Sequence, residues 1–233
     1  MSALSRRGGL SRSTEDYLKT IYELEARDGA AQNSAIADAL AVAPPSVSGM
    51  VKRLSESGLL AHVPYRGVQL TRVGRRTAMR VLRRHRILEK YLTAKLGYDW
   101  DSVHEEAERL EHAVSEDLIE RMAMALGNPE FDPHGAPIPT KDGMVAVPEV
   151  TALSEVPVGE TAELRLVSDK DSELLRYLRS LGLRLGVVFE VVGRQPFRGP
   201  TTIRFAAPPH DEEVVGYELA QSLGCVIRGD EVG

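Results

Sequence analysis

At 233 residues, 42% of them hydrophobic, the chain is long enough for two or three domains with cores of their own, which excludes a tail or a peptide. No apolar run approaches the roughly 20 residues of a membrane span and the start MSALSRRGGLSRSTEDY lacks a signal-peptide apolar region, so a cytoplasmic protein with no membrane partner is expected. The net charge of -5 hides a split, with 17 Lys and Arg against 8 Asp and Glu in residues 1–97 and 12 against 26 in the rest, and the single cysteine, Cys225, excludes an internal disulfide and any cysteine-cluster zinc site.

In chain order, TEDYLKTIYELEA spaces Tyr17, Leu18, Ile21, Tyr22 and Leu24 as one face of a helix capped by Ser13 or Thr14. Asn33 and Ser34 then cap the short helix SAIADAL. PPSVSGMVKRLSESG follows as a third helix, with proline in its first turn and Gly58 at its end. Two short helices joined by a tight turn describe a helix-turn-helix, and LLAHVPYRGVQLTRVG adds a wing of two strands turning at Arg66 and Gly67. Thr71 caps a long fourth helix, and two shorter helices are expected over about Asp101–Leu110 and Ser115–Leu126. GNPEFDPHGAPIPTKDG, dense in Pro and Gly, marks a boundary. From about Thr151 the pattern changes to the strands ETAELRLV, VVFEVV, TTIRFA and VVGYEL around one helix, SELLRYLRSLG, read as an SH3-like β-barrel. The fold class is thus mainly α with a small β portion: a winged helix-turn-helix, a helical middle and a C-terminal barrel.

A basic half suits a polyanion and an acidic half suits cations. Pro45, Ser46 and Ser48 stand at the N-terminal end of the third helix, the end that a helix-turn-helix points at base edges; small and apolar groups there reach thymine methyls, and hydroxyls serve either base. Lys52 and Arg53 one turn on, Arg66 at the wing tip and Ser34 at the start of the second helix suit phosphates.

In the acidic half and the helix before it, His85 and Glu89 are four apart and share a helix face, as do His104 and Glu108, with Glu111 and His112 three and four beyond Glu108. Imidazoles and carboxylates at ligand spacing on neighbouring helices point to a divalent metal. His62, His134 and His210 are given no ligand role, and Cys225 is read as a small core residue.

Taken together, TEDYLKTIYEL, PPSVSGMVKRL, RRHRILEKYL, VHEEAERLEHAVS and DPHGAPIP resemble the diphtheria toxin repressor family of metalloregulators, closely over about residues 13–140 and more loosely beyond. The resemblance implies a winged-helix domain over 1–78, dimerisation and metal-binding helices with a linker over 79–150, and an SH3-like (FeoA-like) domain over 151–233. It also implies a homodimer on palindromic double-stranded operator DNA that represses metal-uptake genes, with no small organic substrate. One metal site would join Asp16 to Glu108, Glu111 and His112. Iron-responsive members carry Met and Cys at the first two positions. Carboxylates there match the manganese regulators, so Mn(II) is expected, with Fe(II), Co(II) or Zn(II) as alternatives. A second site would use His85, Glu89 and His104, completed by Asp171 from SDKDSELLRYL. The shortest manganese regulators carry a carboxylate one turn after the first-helix Asp, where this chain has Lys19, so two separated sites are expected rather than a bridged pair.

Competing readings are an iron-responsive member of the same family, a winged-helix regulator with an organic effector, and a di-metal carboxylate enzyme. The enzyme design wants Glu-x-x-His on two helices. Glu89 has no His three residues on, and Glu108 is followed there by Glu111, so no enzyme is expected.

Overall fold

The computed structural model describes residues 10–169 and 171–229, in two compact units. One gathers His85 and the described residues before it with Leu110–Glu116 and Pro139–Val145; the other gathers Arg86–Arg109, Asp117–Ile138 and the described residues from Ala146 on.

In the first unit, α1 (Arg12–Asp28) starts at Ser11, whose hydroxyl accepts from the Thr14 amide, so the cap lies two or three residues before the expected one. Tyr17, Leu18, Ile21 and Leu24 bury one face of α1 against Ile36, Val47, Val51 and Leu54 from α2 (Asn33–Leu40) and α3 (Pro44–Glu56). Burying such side chains stabilises by about 1.5–3 kcal/mol each, and this fixes the helix-turn-helix. The wing strands β1 (Leu60–Val63) and β2 (Gly67–Leu70) pair antiparallel, Leu60 opposite Leu70. Their turn falls on Pro64–Arg66, with Tyr65 at φ 61°, one residue earlier than expected. Gly67 is required: its φ is 107°, and a Cβ there would stand 2.1 Å from the Ala31 carbonyl oxygen. That approach lets Ala31 and Val68 exchange two backbone hydrogen bonds, 2.8 and 2.9 Å, which hold the wing to the start of α2.

Thr71 caps α4 (Arg72–Leu96), its hydroxyl accepting from the Gly74 amide. α5 (Val103–Leu110) and α6 (Glu116–Ala125) follow. In the second unit a six-stranded antiparallel sheet runs in the order β3 (Thr151–Ala152), β8 (Gly224–Ile227), β4 (Thr161–Leu166), β5 (Val188–Arg194), β6 (Thr201–Phe205), β7 (Glu212–Val215). Leu164, Phe189, Val191, Ile203 and Cys225 pack with Leu175 and Leu178 of α7 (Ser172–Ser180). Burial pushes the Cys225 thiol up to about 12, as suits a core residue. VVGYEL is not one strand: Gly216 ends β7, and Tyr217–Ser222 form α8. No single described helix is long and apolar enough to cross a membrane; α2 and α3 pass such a test only as a pair bent by 113°.

Candidate metal centres and nucleic-acid interface

The first centre lies within the first unit. Asp16 on α1 meets Glu111 and His112 just after α5, their ligand atoms all within 4.8 Å of one another. His112 Nε2 is 2.8 Å from Asp16 Oδ1 and 3.2 Å from Glu111 Oε1. Its other nitrogen, Nδ1, donates to Glu15 Oε2 at 2.7 Å, and Glu15 Oε1 takes a 2.6 Å bond from Arg84 of α4. Only donation from Nδ1 satisfies that carboxylate, so in the neutral ring Nε2 keeps its lone pair for a metal. Burial raises the Asp16 carboxyl above its ordinary value, opposed by His112.

Lys19, one turn after Glu15 and Asp16, is buried and donates to Glu111 Oε2 at 3.1 Å. His85 Nδ1 reaches the same oxygen at 2.6 Å, with Lys19 Nζ 3.2 Å from it. Burial alone would raise the Glu111 carboxyl, but bonds from His85 and Lys19 hold it below its usual value. One carboxylate thus joins the Asp16 centre to an ammonium and to His85. The sequence reading found neither Glu15 nor Arg84; their only signal is that Glu15 adjoins Asp16.

Glu108 stands elsewhere than in the sequence reading: its Oε1 is 3.6 Å from His104 Nε2, and the compact Asp16 group consists of Glu111 and His112 without it. Within the second unit, His104 Nδ1 lies 3.2 Å from Glu89 Oε1 and 3.5 Å from Asp169 Oδ2. Burial would lower the His104 pKa, yet bonds to Asp169 and Glu89 carry it up to about 10. His85 precedes Glu89 by one turn on α4. Asp171 corrects to Asp169: the Asp171 carboxylate accepts from the Glu173 and Leu174 amides and caps α7, so it faces its own helix, while Asp169 two residues earlier meets His104.

On the winged helix, Ser34, Pro45, Ser46, Ser48, Lys52 and Arg53 are all exposed, along α2 and α3. Ser48 is held locally, its hydroxyl donating to the Pro44 carbonyl at 3.3 Å. Lys52 has only Glu56 at 3.9 Å, a weak exposed pair that leaves its ammonium available. Arg66 is exposed but donates to the Asp28 carbonyl at 3.1 Å, so it also fastens the wing to the end of α1. Tyr65, fully exposed at the wing tip, was not singled out in the sequence.

A basic winged helix built around clusters of imidazole and carboxylate defines a DNA-binding protein that answers to a metal. Comparison with known proteins makes the class specific. Residues 9–68 match the family "Iron dependent repressor, N-terminal DNA binding domain", residues 71–140 "Iron dependent repressor, metal binding and dimerisation domain", and residues 151–224 the FeoA domain. The iron-dependent repressor IdeR of Mycobacterium leprae is 39% identical over 227 residues, covering 91% of this chain and 95% of that protein. The diphtheria toxin repressor of Corynebacterium diphtheriae is 33% identical, covering 78% and 85%. Among solved structures, a manganese-dependent transcriptional repressor in complex with manganese superposes with a TM-score of 0.84 at 37% identity, covering 92% of this chain and 100% of that one. The manganese regulator SloR gives 0.76 at 34%, covering 92% and 98%. The chain belongs to the diphtheria toxin repressor family, whose members are transcriptional repressors and not enzymes, and it is a metal-dependent, DNA-binding repressor with a dimerisation domain.

Proposed function

We propose that the protein is a manganese-responsive repressor of metal-uptake genes, acting in the cytoplasm as a homodimer on a palindromic operator. The observation that carries the reading is the donor set of the first centre: two carboxylates and one imidazole, with no thioether or thiolate. Hard oxygen donors suit Mn(II), while raw affinity still follows the Irving-Williams order, so Fe(II), Co(II) and Zn(II) compete by availability. Relatives named iron-dependent favour Fe(II) as the second reading, and manganese-dependent structural neighbours favour the first.

Asp16, Glu111 and His112 would hold the regulatory ion, which when bound supplies the divalent charge that three acceptor atoms otherwise lack. These residues draw α1 and the segment after α5 together, and Glu15 and Arg84 orient the imidazole. Operator affinity then rises by whatever difference in metal affinity exists between DNA-competent and other conformations. Glu89, His104 and Asp169, with His85 on the same α4 face, would hold a second, supporting ion. α3 enters the major groove of each half-site with Pro45, Ser46 and Ser48 towards bases, and Ser34, Lys52, Arg53 and Arg66 towards phosphates. Titrating operator binding with Mn(II), Fe(II), Co(II) and Zn(II) in one buffer tests the reading. Activation by Mn(II) at lower or equal free-metal concentration than Fe(II) is expected; activation by Fe(II) alone, or binding indifferent to metal, overturns it.

A further inference from the structure

His134, given no ligand role from its place in a proline-rich loop, is fully buried. The loop is a tight hairpin in which Phe131 bridges Pro137 and the Asp132 amide donates to the Ala136 carbonyl at 3.0 Å. Asp132 staples it from inside: Oδ1 accepts from the His134 and Ala136 amides at 2.8 and 2.9 Å. Gly135, at φ 87°, lets the tip approach β4, since a Cβ there would stand 1.8 Å from the Arg165 carbonyl oxygen. The imidazole ring lies stacked near Trp100, centroids 6.0 Å apart, and its Nε2 is 2.7 Å from the Trp100 carbonyl oxygen.

That last bond fixes the chemistry. A carbonyl oxygen only accepts, so Nε2 must carry the proton and donate, and in the neutral ring Nδ1 is left as an acceptor. Nδ1 is buried and makes no hydrogen bond, and neither does the buried Asp132 Oδ2. Glu89 Oε2 lies 3.9 Å from Nδ1, and the ligand atoms of Glu89, Asp132 and His134 are all within 4.8 Å of one another. Three acceptors turned on one another away from water are unfavourable unless a cation stands among them. Arg86 Nε, 3.5 Å from Asp132 Oδ2, is too long for a hydrogen bond to it. Imidazole donating its far N–H to a backbone carbonyl is also the usual arrangement behind a metal-ligating histidine. Metal–ligand bonds of about 2.0–2.3 Å bring opposite donors about 4–4.6 Å apart, close to the separations present.

We propose that Glu89, Asp132 and His134 form a third divalent-cation site, distinct from the Asp16 centre and sharing Glu89 with the His104–Asp169 cluster. Glu89 turns Oε1 to His104 and Oε2 towards His134, so its carboxylate bridges two ions. The site clamps the 130–138 hairpin to α4 and to the Trp100 segment, and its existence does not depend on which metal drives repression.

The test is a count of bound Cd(II) by 113Cd NMR on full-length protein stripped with chelator and reloaded. Three resonances are expected for the wild type. His134→Gln and Asp132→Asn, of which the latter keeps an oxygen for the staple, should each lose the same single resonance. His112→Gln should lose a second and His104→Gln a third. If His134→Gln or a folded Asp132→Asn keeps the full wild-type set, the third site is overturned and the cluster is held by a proton. Retention of the full set in His112→Gln or His104→Gln counts instead against the two centres proposed above.

Discussion

Glu15→Gln perturbs the regulatory centre without touching a proposed ligand. Glu15 is nearly buried between His112 and Arg84, with bonds of 2.7 and 2.6 Å, and glutamine keeps its shape while removing its charge. A hydrogen bond to a charged group contributes about 1.5–3 kcal/mol and a neutral one about 0.5–1.5, so the His112 Nδ1–H bond weakens by about 1–2 kcal/mol. At 1.4 kcal/mol per tenfold, metal affinity at the Asp16 centre falls about 5- to 30-fold, which agrees with the roughly 10–100-fold typical of residues that orient a metal ligand. Fluorescence anisotropy of a labelled operator, titrated with Mn(II) at fixed protein, reads this directly. The midpoint should move to about tenfold higher Mn(II), while the plateau at saturating metal stays, because the three donors remain. An unmoved midpoint in a folded, dimeric variant would show that Glu15 does not position His112. A lost plateau would place Glu15 among the ligands.

Four further outcomes are expected. Lys19→Glu puts a carboxylate beside Glu111 in place of the ammonium 3.1 Å away, so the metal-free protein should melt earlier and the bound Mn(II) per protomer, read by elemental analysis after dialysis, should rise by one; an unchanged count would deny that Lys19 stands where a second cation would sit. His104, raised from 6.5 to about 10, stabilises the metal-free fold fully below pH 6.5 and progressively less as pH climbs through 10. Loading the second centre near neutral pH must therefore displace that proton, and calorimetry in buffers of different ionisation heat should find one proton fewer released in His104→Gln; equal release refutes the assignment. Lys52→Ala should weaken all DNA sequences alike and reduce the salt slope by ~1, whereas Arg66→Ala should also loosen the wing by losing its bond to Asp28; a loss confined to one operator base contradicts the phosphate role. Asp16→Met should shift activation towards Fe(II), Co(II) or Zn(II), since a thioether is a softer donor, and an unchanged metal ranking in operator binding counts against Asp16 as a ligand.

How much of this was legible in the sequence follows the reach of its periodicities. Helical spacing and punctuation by Ser, Thr, Pro and Gly locate α1 to α4, and spacing of four places His85 with Glu89 and His104 with Glu108 on shared faces. Short segments carry no such signal. β3 has two residues, and the alternation in VVGYEL resembles a strand until Gly216 lets Tyr217 begin α8.

At the centres, the sequence supplies the ligand types but not the competing uses of each side chain. SDKDSE offers three acids in a row of six, and which one meets His104 is decided by helix capping. Asp171 immediately precedes α7, where amides without intrahelical partners take its carboxylate, so Asp169 is the acid left to turn to the imidazole. The same logic separates His134 from His62. Both read as isolated histidines, but only His134 sits in a hairpin whose tip glycine allows close approach to β4 and whose aspartate is committed to backbone amides through one oxygen alone. The remaining oxygen and the unprotonated ring nitrogen are then forced inward together. That convergence comes from tertiary closure across residues 89 to 134, a separation that no local pattern of spacing reports.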